Sequence, residues 1–244
     1  MPKIILIKTT DYEEMSQKGA EIFIEQIKKK PNSILGLATG STPLGLYKIL
    51  IEKNREKIIS FKDVITFNLD EYCDIPKNHE QSYFTYMNNN LFDHIDIDKN
   101  NTHIPKGEGD AIINSDNYEK ELNKIKIDIQ LLGIGSNGHI GFNEPGTDFN
   151  IGVHEVILTE NTIKDNARFF ENDINKVPKK AITMGIKNIL DAETIILMAS
   201  GKNKANAIKN IMSGTVDKNN PASSLNLHKG KVYVIVDKDA ASML

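Results

Sequence analysis

Short, continuously apolar runs rich in β-branched residues recur along this chain, at 3–8 (KIILIK), 33–38 (SILGLA), 63–67 (DVITF), 128–133 (DIQLLG), 194–199 (TIILMA) and 232–236 (VYVIV). They lack the apolar/polar alternation of a strand with one wet face, and so suit a parallel sheet covered on both faces. Helical patterns lie between them, near 43–55, 80–92, 114–125, 185–191 and 202–213. The first helix is signalled by Thr10-Asp11-Tyr12-Glu13 at capping-box spacing, followed by Met15, Gly19, Ala20, Phe23 and Ile27 at helical intervals. Strand–helix alternation of this kind predicts an α/β fold: a three-layer α/β/α sandwich with a mostly parallel sheet.

A length of 244 residues fits one α/β domain spanning 1–244. The chain is 39% hydrophobic and 26% charged, enough for a full core without metals or disulfides. Its single cysteine, Cys73, forbids an intrachain disulfide, fits a reducing, cytoplasmic location and reads best as a small buried hydrophobe. Thirty basic against 33 acidic residues leave a net charge of −3, which argues against a nucleic-acid partner. No apolar run approaches the ~18 residues of a membrane span. The stretches 98–112 and 213–222 read as loops. The segment from 146 to about 178 has little regular pattern; it is either a mobile lid or a plain surface excursion.

Four places can carry chemistry. Ala38-Thr39-Gly40-Ser41-Thr42-Pro43 follows a buried-type strand and opens a helix, with Thr42 suited to the N-cap and Pro43 to the first turn. Free amides there form an anion site, unless the turn is only an ordinary cap; the Gly-Lys-Ser/Thr ending of a P-loop is missing. Asp70 and Glu71, in Phe67-Asn68-Leu69-Asp70-Glu71-Tyr72, end a strand where ligands bind in open sheets. Neighbouring carboxylates on an extended chain face opposite ways, so one can serve a crevice while the other makes a structural bond. A solvated acidic turn is the alternative.

The third place, Gly133-Ile134-Gly135-Ser136-Asn137-Gly138-His139-Ile140-Gly141-Phe142-Asn143-Glu144-Pro145, packs four glycines into nine positions beside His139. Such a histidine, with Asn137 and Glu144 near in sequence, suits proton transfer. It is not a dinucleotide fingerprint, because it comes late in the chain and His139 would crowd a pyrophosphate. No other histidine has metal-ligand spacing to it, and no metal is expected. The fourth place is a pair of cations, Arg168 in Ala167-Arg168-Phe169-Phe170 and Lys204 in the first turn of a predicted helix, where a cation opposes the dipole unless an anion sits there. A solvated surface lysine is the alternative.

Together these blocks, with Val177-Pro178-Lys179-Lys180-Ala181-Ile182-Thr183-Met184-Gly185 and Gly201-Lys202-Asn203-Lys204-Ala205, resemble the glucosamine-6-phosphate deaminase family over nearly the whole chain. The resemblance implies a Rossmann-like sandwich, as in ribose-5-phosphate isomerase and the CoA transferases. It implies conversion of glucosamine 6-phosphate and water to fructose 6-phosphate and ammonia without an organic cofactor. By the same resemblance Asp70 is the base for the C2 proton, His139 opens the sugar ring, and Glu144 orients it. Asn137 fills a position where one branch of the family has Asp, as in the shorter branch. Thr39, Gly40, Ser41, Thr42, Arg168 and Lys204 match phosphate contacts.

Residues 146–156 contain no Arg or Lys, and the chain stops at Leu244. Longer family members are activated by N-acetylglucosamine 6-phosphate through a basic cluster in that region, so a non-allosteric enzyme is expected. Two alternatives stand beside the deaminase: a 6-phosphogluconolactonase-like hydrolase, and a catalytically silent sugar-phosphate sensor, for which no helix-turn-helix segment is visible. Oligomeric state stays open, a homo-oligomer among the options.

Overall fold

The computed structural model describes residues 3–244. Its strands are β1 (Lys3–Lys8), β2 (Ile34–Leu37), β3 (Ile65–Asn68), β4 (Asp70–Tyr72), β5 (Thr102–His103), β6 (Ile129–Leu132), β7 (His154–Ile157), β8 (Lys180–Thr183), β9 (Thr194–Ala199) and β10 (Lys231–Val236). Its α-helices are α1 (Tyr12–Lys29), α2 (Leu44–Arg55), α3 (Tyr83–Asn90), α4 (Ala111–Leu122), α5 (Glu160–Asn166), α6 (Ile186–Leu190) and α7 (Ala205–Met212). Every predicted strand forms, within one or two residues of its expected ends. Among the described residues no helix is long and apolar enough to cross a membrane.

Seven strands form one parallel sheet in the order β1-β10-β9-β6-β2-β3-β5. Helices cover it, giving the expected three-layer Rossmann-like sandwich. Ile195, Ile196, Leu197, Met198, Val234 and Ile235 are fully buried, the two-faced burial that their unbroken apolar runs require. From β2 the chain builds outward through β3 to β5; from β6 it builds the opposite way through β9 to β10. The paired strands β2 and β6 therefore flank a topological switch point, where the loops after the strands part and leave a crevice.

A second, three-stranded antiparallel sheet, β4-β8-β7, has no counterpart among the predicted elements. It corrects the reading of 146–178 as irregular: that segment holds β7, α5 and a 3-10 turn at Ala167–Phe169. The strands of this sheet, Asp70-Glu71-Tyr72, His154-Glu155-Val156-Ile157 and Lys180-Ala181-Ile182-Thr183, are short and carry charged residues, so they show none of the unbroken apolar runs that mark the large sheet. The 98–112 stretch likewise contains β5 and the start of α4, which Asp110 caps by accepting the amides of Ile112 and Ile113.

Two caps also differ from expectation. Asp11, not Thr10, is the N-cap of α1 and accepts the Glu14 amide at 2.8 Å, while Glu14 accepts the Thr10 amide at 2.8 Å. The cap lies one residue later than the sequence spacing suggested, and Glu14 reaches back past it to the residue before, so the two bonds do not close a reciprocal box. At α2, Pro43 occupies the cap position and no side chain of the turn caps it. The Tyr12 hydroxyl does the work from α1, accepting the Gly45 amide at 2.8 Å with the Ser41 and Thr42 carbonyls at 3.0 and 3.1 Å.

Candidate active site

The switch point opens into a cleft of about 890 Å³. Its walls are the segments leaving β2 (Ala38–Thr42), β3 (Leu69 and Asp70), β6 (Gly133–Gly135) and β9 (Ser200, Asn203 and Lys204). Thr39, Gly40, Ser41, Thr42, Asp70, His139, Arg168 and Lys204 all line it, so the fold gathers the four separate sequence blocks around one space. Asn137 and Glu144 do not line it.

Gly40 has φ +91°, a conformation that L side chains rarely adopt, and nothing lies within 4 Å of where a Cβ would be. The turn therefore exposes backbone to the cleft, as an anion cradle must. The Tyr86 hydroxyl, from α3, donates to the Gly40 carbonyl and braces it. Lys204 stands at the cap position of α7, one residue before the first turn where it was expected, and closes a 3-10 turn. Arg168 stacks over the Phe169 ring at 4.7 Å.

Asp70 sits where the chain leaves the large sheet for the small one. The Leu69 amide still bonds to Leu37 of β2, and Asp70 pairs with Thr183 of β8. The two carboxylates then part. Glu71 accepts the amides of Tyr72 at 2.9 Å, Tyr83 at 2.8 Å and Phe84 at 2.9 Å. Burial nevertheless pushes its carboxyl up to about 7 against those three bonds. Asp70 is 7% exposed, and among the described residues no group donates a hydrogen bond to it. Burial, reinforced by the neighbouring charge of Glu71, pushes its carboxyl up to about 8.

His139 is held by a tight glycine turn: its carbonyl accepts the Gly135 amide at 2.9 Å. A Cβ on Gly135 would lie 2.3 Å from His139 Cε1 and 2.4 Å from Nδ1, so only glycine lets the backbone lie against the ring. Nδ1 is buried and faces Glu144 Oε2 at 3.7 Å, an ion-pair separation too long for a hydrogen bond. Asn137 bridges the two residues from outside the cleft. Its amide donates to Glu144 Oε2 at 2.8 Å, and its carbonyl oxygen accepts the His139 backbone amide at 3.2 Å. It thus contacts the carboxylate and the backbone, not the imidazole.

The other Glu144 oxygen is held by residues the sequence did not mark. Thr162 of α5 donates to Oε1, and the Thr159 hydroxyl lies 3.3 Å from it. Burial would raise the Glu144 carboxyl, but His139, Thr162 and Asn137 outweigh it and hold the group down at about 2. Asn166, at the end of the same helix, donates to the Tyr72 hydroxyl at 2.9 Å. The only sequence signal was Thr159-x-x-Thr162, which reads as a helix cap and is one: Thr159 accepts the Thr162 amide. Its contact with Glu144 is tertiary. Cys73 is buried beside the small sheet, as expected of a hydrophobe. Among the described residues no three His, Cys, Asp or Glu side chains gather as a metal site.

An open α/β sheet that aims a bare turn, two cations, a buried carboxylate and a carboxylate-backed imidazole into one crevice suits acid–base chemistry on a small anionic ligand. A sequence model of the glucosamine-6-phosphate isomerases/6-phosphogluconolactonase family matches residues 10–234, and the chain belongs to that family. It is 52% identical over 244 residues to a glucosamine-6-phosphate deaminase of Clostridium novyi (strain NT), covering 99% of this chain and 100% of that one. It superposes with a TM-score of 0.96 on a solved monomeric glucosamine-6-phosphate deaminase, at 44% identity over 99% of this chain and 100% of that one. A 6-phosphogluconolactonase of Trypanosoma brucei shares the fold, with a TM-score of 0.82 at 22% identity, over the whole of both chains.

Proposed function

We propose that this protein is a glucosamine-6-phosphate deaminase that releases fructose 6-phosphate and ammonia. One observation carries the reading: Asp70 is a buried carboxylate to which no described residue donates a hydrogen bond, in the same cleft as an imidazole backed by Glu144. A hydrolase acting on a lactone has no need of a base for a carbon-bound proton. A deaminase that works through an enol does. The activity named for the Clostridium novyi and monomeric relatives supports the same choice.

In this reading Thr39, Gly40, Ser41, Thr42, Arg168 and Lys204 hold the phosphate and so anchor a flexible chain, converting an encounter into an oriented approach. A closed sugar ring has no acidic C–H, so His139 first moves a proton between the hydroxyl at C1 and the ring oxygen, freeing the aldehyde. Glu144 stays anionic and favours the imidazolium that forms in transit. Asn137, a neutral amide, orients Glu144 and carries no charge of its own. Asp70 then takes the C2 proton as the carbonyl at C1 becomes an enol. Return of a proton to C1 makes a ketimine at C2, and water hydrolyses it to the ketone and ammonia. Each positioned acid or base is worth ~10²–10⁴ in rate.

The raised carboxyl of Asp70 fits this order of events. On its own it favours the protonated form at neutral pH. A bound ammonium at C2 brings a positive charge beside it and favours the carboxylate that the next step needs. The segment 146–178 acts as a lid, since it brings Thr162, Asn166 and Arg168 to the cleft wall. All proposed residues come from one chain, so a monomer suffices for the chemistry. A cytoplasmic location is part of the same reading. The test is direct: ammonia and fructose 6-phosphate should form from glucosamine 6-phosphate, and 6-phosphogluconolactone should be hydrolysed no faster than in buffer. Rapid lactone hydrolysis without ammonia release would select the rival.

A further inference from the structure

Glu144 lies behind the cleft, and both of its oxygens are held from different segments. Oε2 accepts the Asn137 amide at 2.8 Å and faces His139 Nδ1 at 3.7 Å. Oε1 accepts the Thr162 hydroxyl, with Thr159 Oγ1 at 3.3 Å from the carboxylate and 3.1 Å from Thr162 Oγ1. Each hydroxyl has a single proton to give. Thr162 gives its proton to the carboxylate. Thr159 gives its own either to the carboxylate directly or to Thr162 Oγ1, which makes a two-hydroxyl relay ending on the same oxygen. In both cases Oε1 is fixed from α5. A carboxylate held through one oxygen can swing about that contact; held through both, it cannot.

We infer that Thr162 is a positioning residue for His139. By pinning Oε1 it keeps Oε2 facing Nδ1 at 3.7 Å, so that the charge of the carboxylate favours the neutral ring with its proton on Nδ1 and a bare Nε2. Nδ1 is fully buried although the side chain keeps 24% of its surface exposed, so the exposure lies away from the Glu144 side. His139 lines the cleft, and Nε2 is then the nitrogen offered to it. Gly135 lies flat against the ring and prevents it from backing away. Thr162 itself is 5% exposed, and although the residue reaches the cleft wall its bond to the carboxylate is buried.

This inference rests on the acid–base role proposed for His139, and its test separates the two. The ring nitrogens of His139 are followed by ¹⁵N NMR in the full chain without substrate, in wild type, Thr162→Val and Thr162→Ser. kcat and KM are measured in parallel. Wild type and Thr162→Ser are expected to hold the neutral ring with its proton on Nδ1. Thr162→Val is expected to relax toward the Nε2–H form that an unconstrained imidazole prefers. Its kcat should fall roughly 10- to 100-fold, the factor matching one hydrogen bond to a charged group. KM should stay close to wild type, and Thr162→Ser should recover most of the loss. An unmoved tautomer in Thr162→Val, or a rise in KM alone, would overturn the inference. If the valine variant does not fold, Thr162→Ala against Thr162→Ser gives the same contrast. The NMR arm needs no turnover: an Nδ1–H ring that relaxes in Thr162→Val supports the inference even if no ammonia is released, an outcome that would defeat the deaminase reading alone.

Discussion

Asp70 and Glu71 are consecutive carboxylates with opposite fates: Glu71 collects three backbone amides, and Asp70 collects none among the described residues and faces the cleft. The division follows from extended backbone, which sends neighbouring side chains to opposite faces. It predicts opposite phenotypes. Glu71→Gln should lower stability, because an amide group must replace one of the two oxygens that accept those N–H groups. A loss of ~1–3 kcal/mol in urea unfolding is expected, the cost of leaving a buried donor unpaired.

Asp70→Asn should do the reverse. A group whose folded-state pKa is raised, here from 3.8 to about 8, contributes stability that is complete below pH 3.8 and lost as pH rises through 8. The wild type therefore carries a growing penalty across that window, and the asparagine variant does not. The stability of Asp70→Asn relative to wild type should increase between pH 5 and pH 9 in denaturant titrations. A constant difference would show that Asp70 does not titrate in this range.

The same group sets an expectation for catalysis. kcat/KM reports the free protein, in which Asp70 must be ionised to accept a proton. The acidic limb of its pH profile should have a midpoint displaced far above the ordinary carboxylate range, toward about 8. A midpoint near 4 would remove Asp70 from the role of base.

Gly135→Ala tests the packing behind His139. The new Cβ would come within 2.4 Å of two imidazole atoms, so the ring must move. Turnover should fall by an order of magnitude or more while the far-UV circular dichroism spectrum is retained. Wild-type kcat in this variant would mean that the ring position is unimportant.

Arg168→Ala and Lys204→Ala probe the anion side. Each should raise KM for the sugar phosphate by roughly 10- to 100-fold, as expected for loss of a hydrogen bond to a charged group, and weaken competition by inorganic phosphate in step. Equal KM values in variant and wild type would place the phosphate elsewhere.

Six strands of the large sheet were legible because they carry unbroken apolar runs; β5, the half-buried pair Thr102–His103 at its edge, carries none and was not. The site was legible where one segment contains a whole signal: Gly40 in its turn, the carboxylates that follow β3, His139 among glycines. What stayed hidden depends on contacts between distant segments. Thr159 and Thr162 read as a helix cap, and nothing local says that they also meet Glu144. Tyr12 caps α2 from another helix, so Thr42 and Pro43 looked sufficient when they were not. The small sheet escaped because its short strands are interrupted by charged residues such as Glu71, Glu155 and Lys180 and carry no apolar run.

The central claim is that Asp70 removes the C2 proton of an anchored, ring-opened amino sugar. The most direct measurement is ammonia and fructose 6-phosphate release from 2-deuterio-glucosamine 6-phosphate by wild type and Asp70→Asn, with phosphate binding checked in the same samples. The account predicts a primary isotope effect on wild-type kcat/KM, and in the variant retained binding with turnover lowered by ~10²–10⁴. Turnover in Asp70→Asn within a small factor of wild type would contradict it.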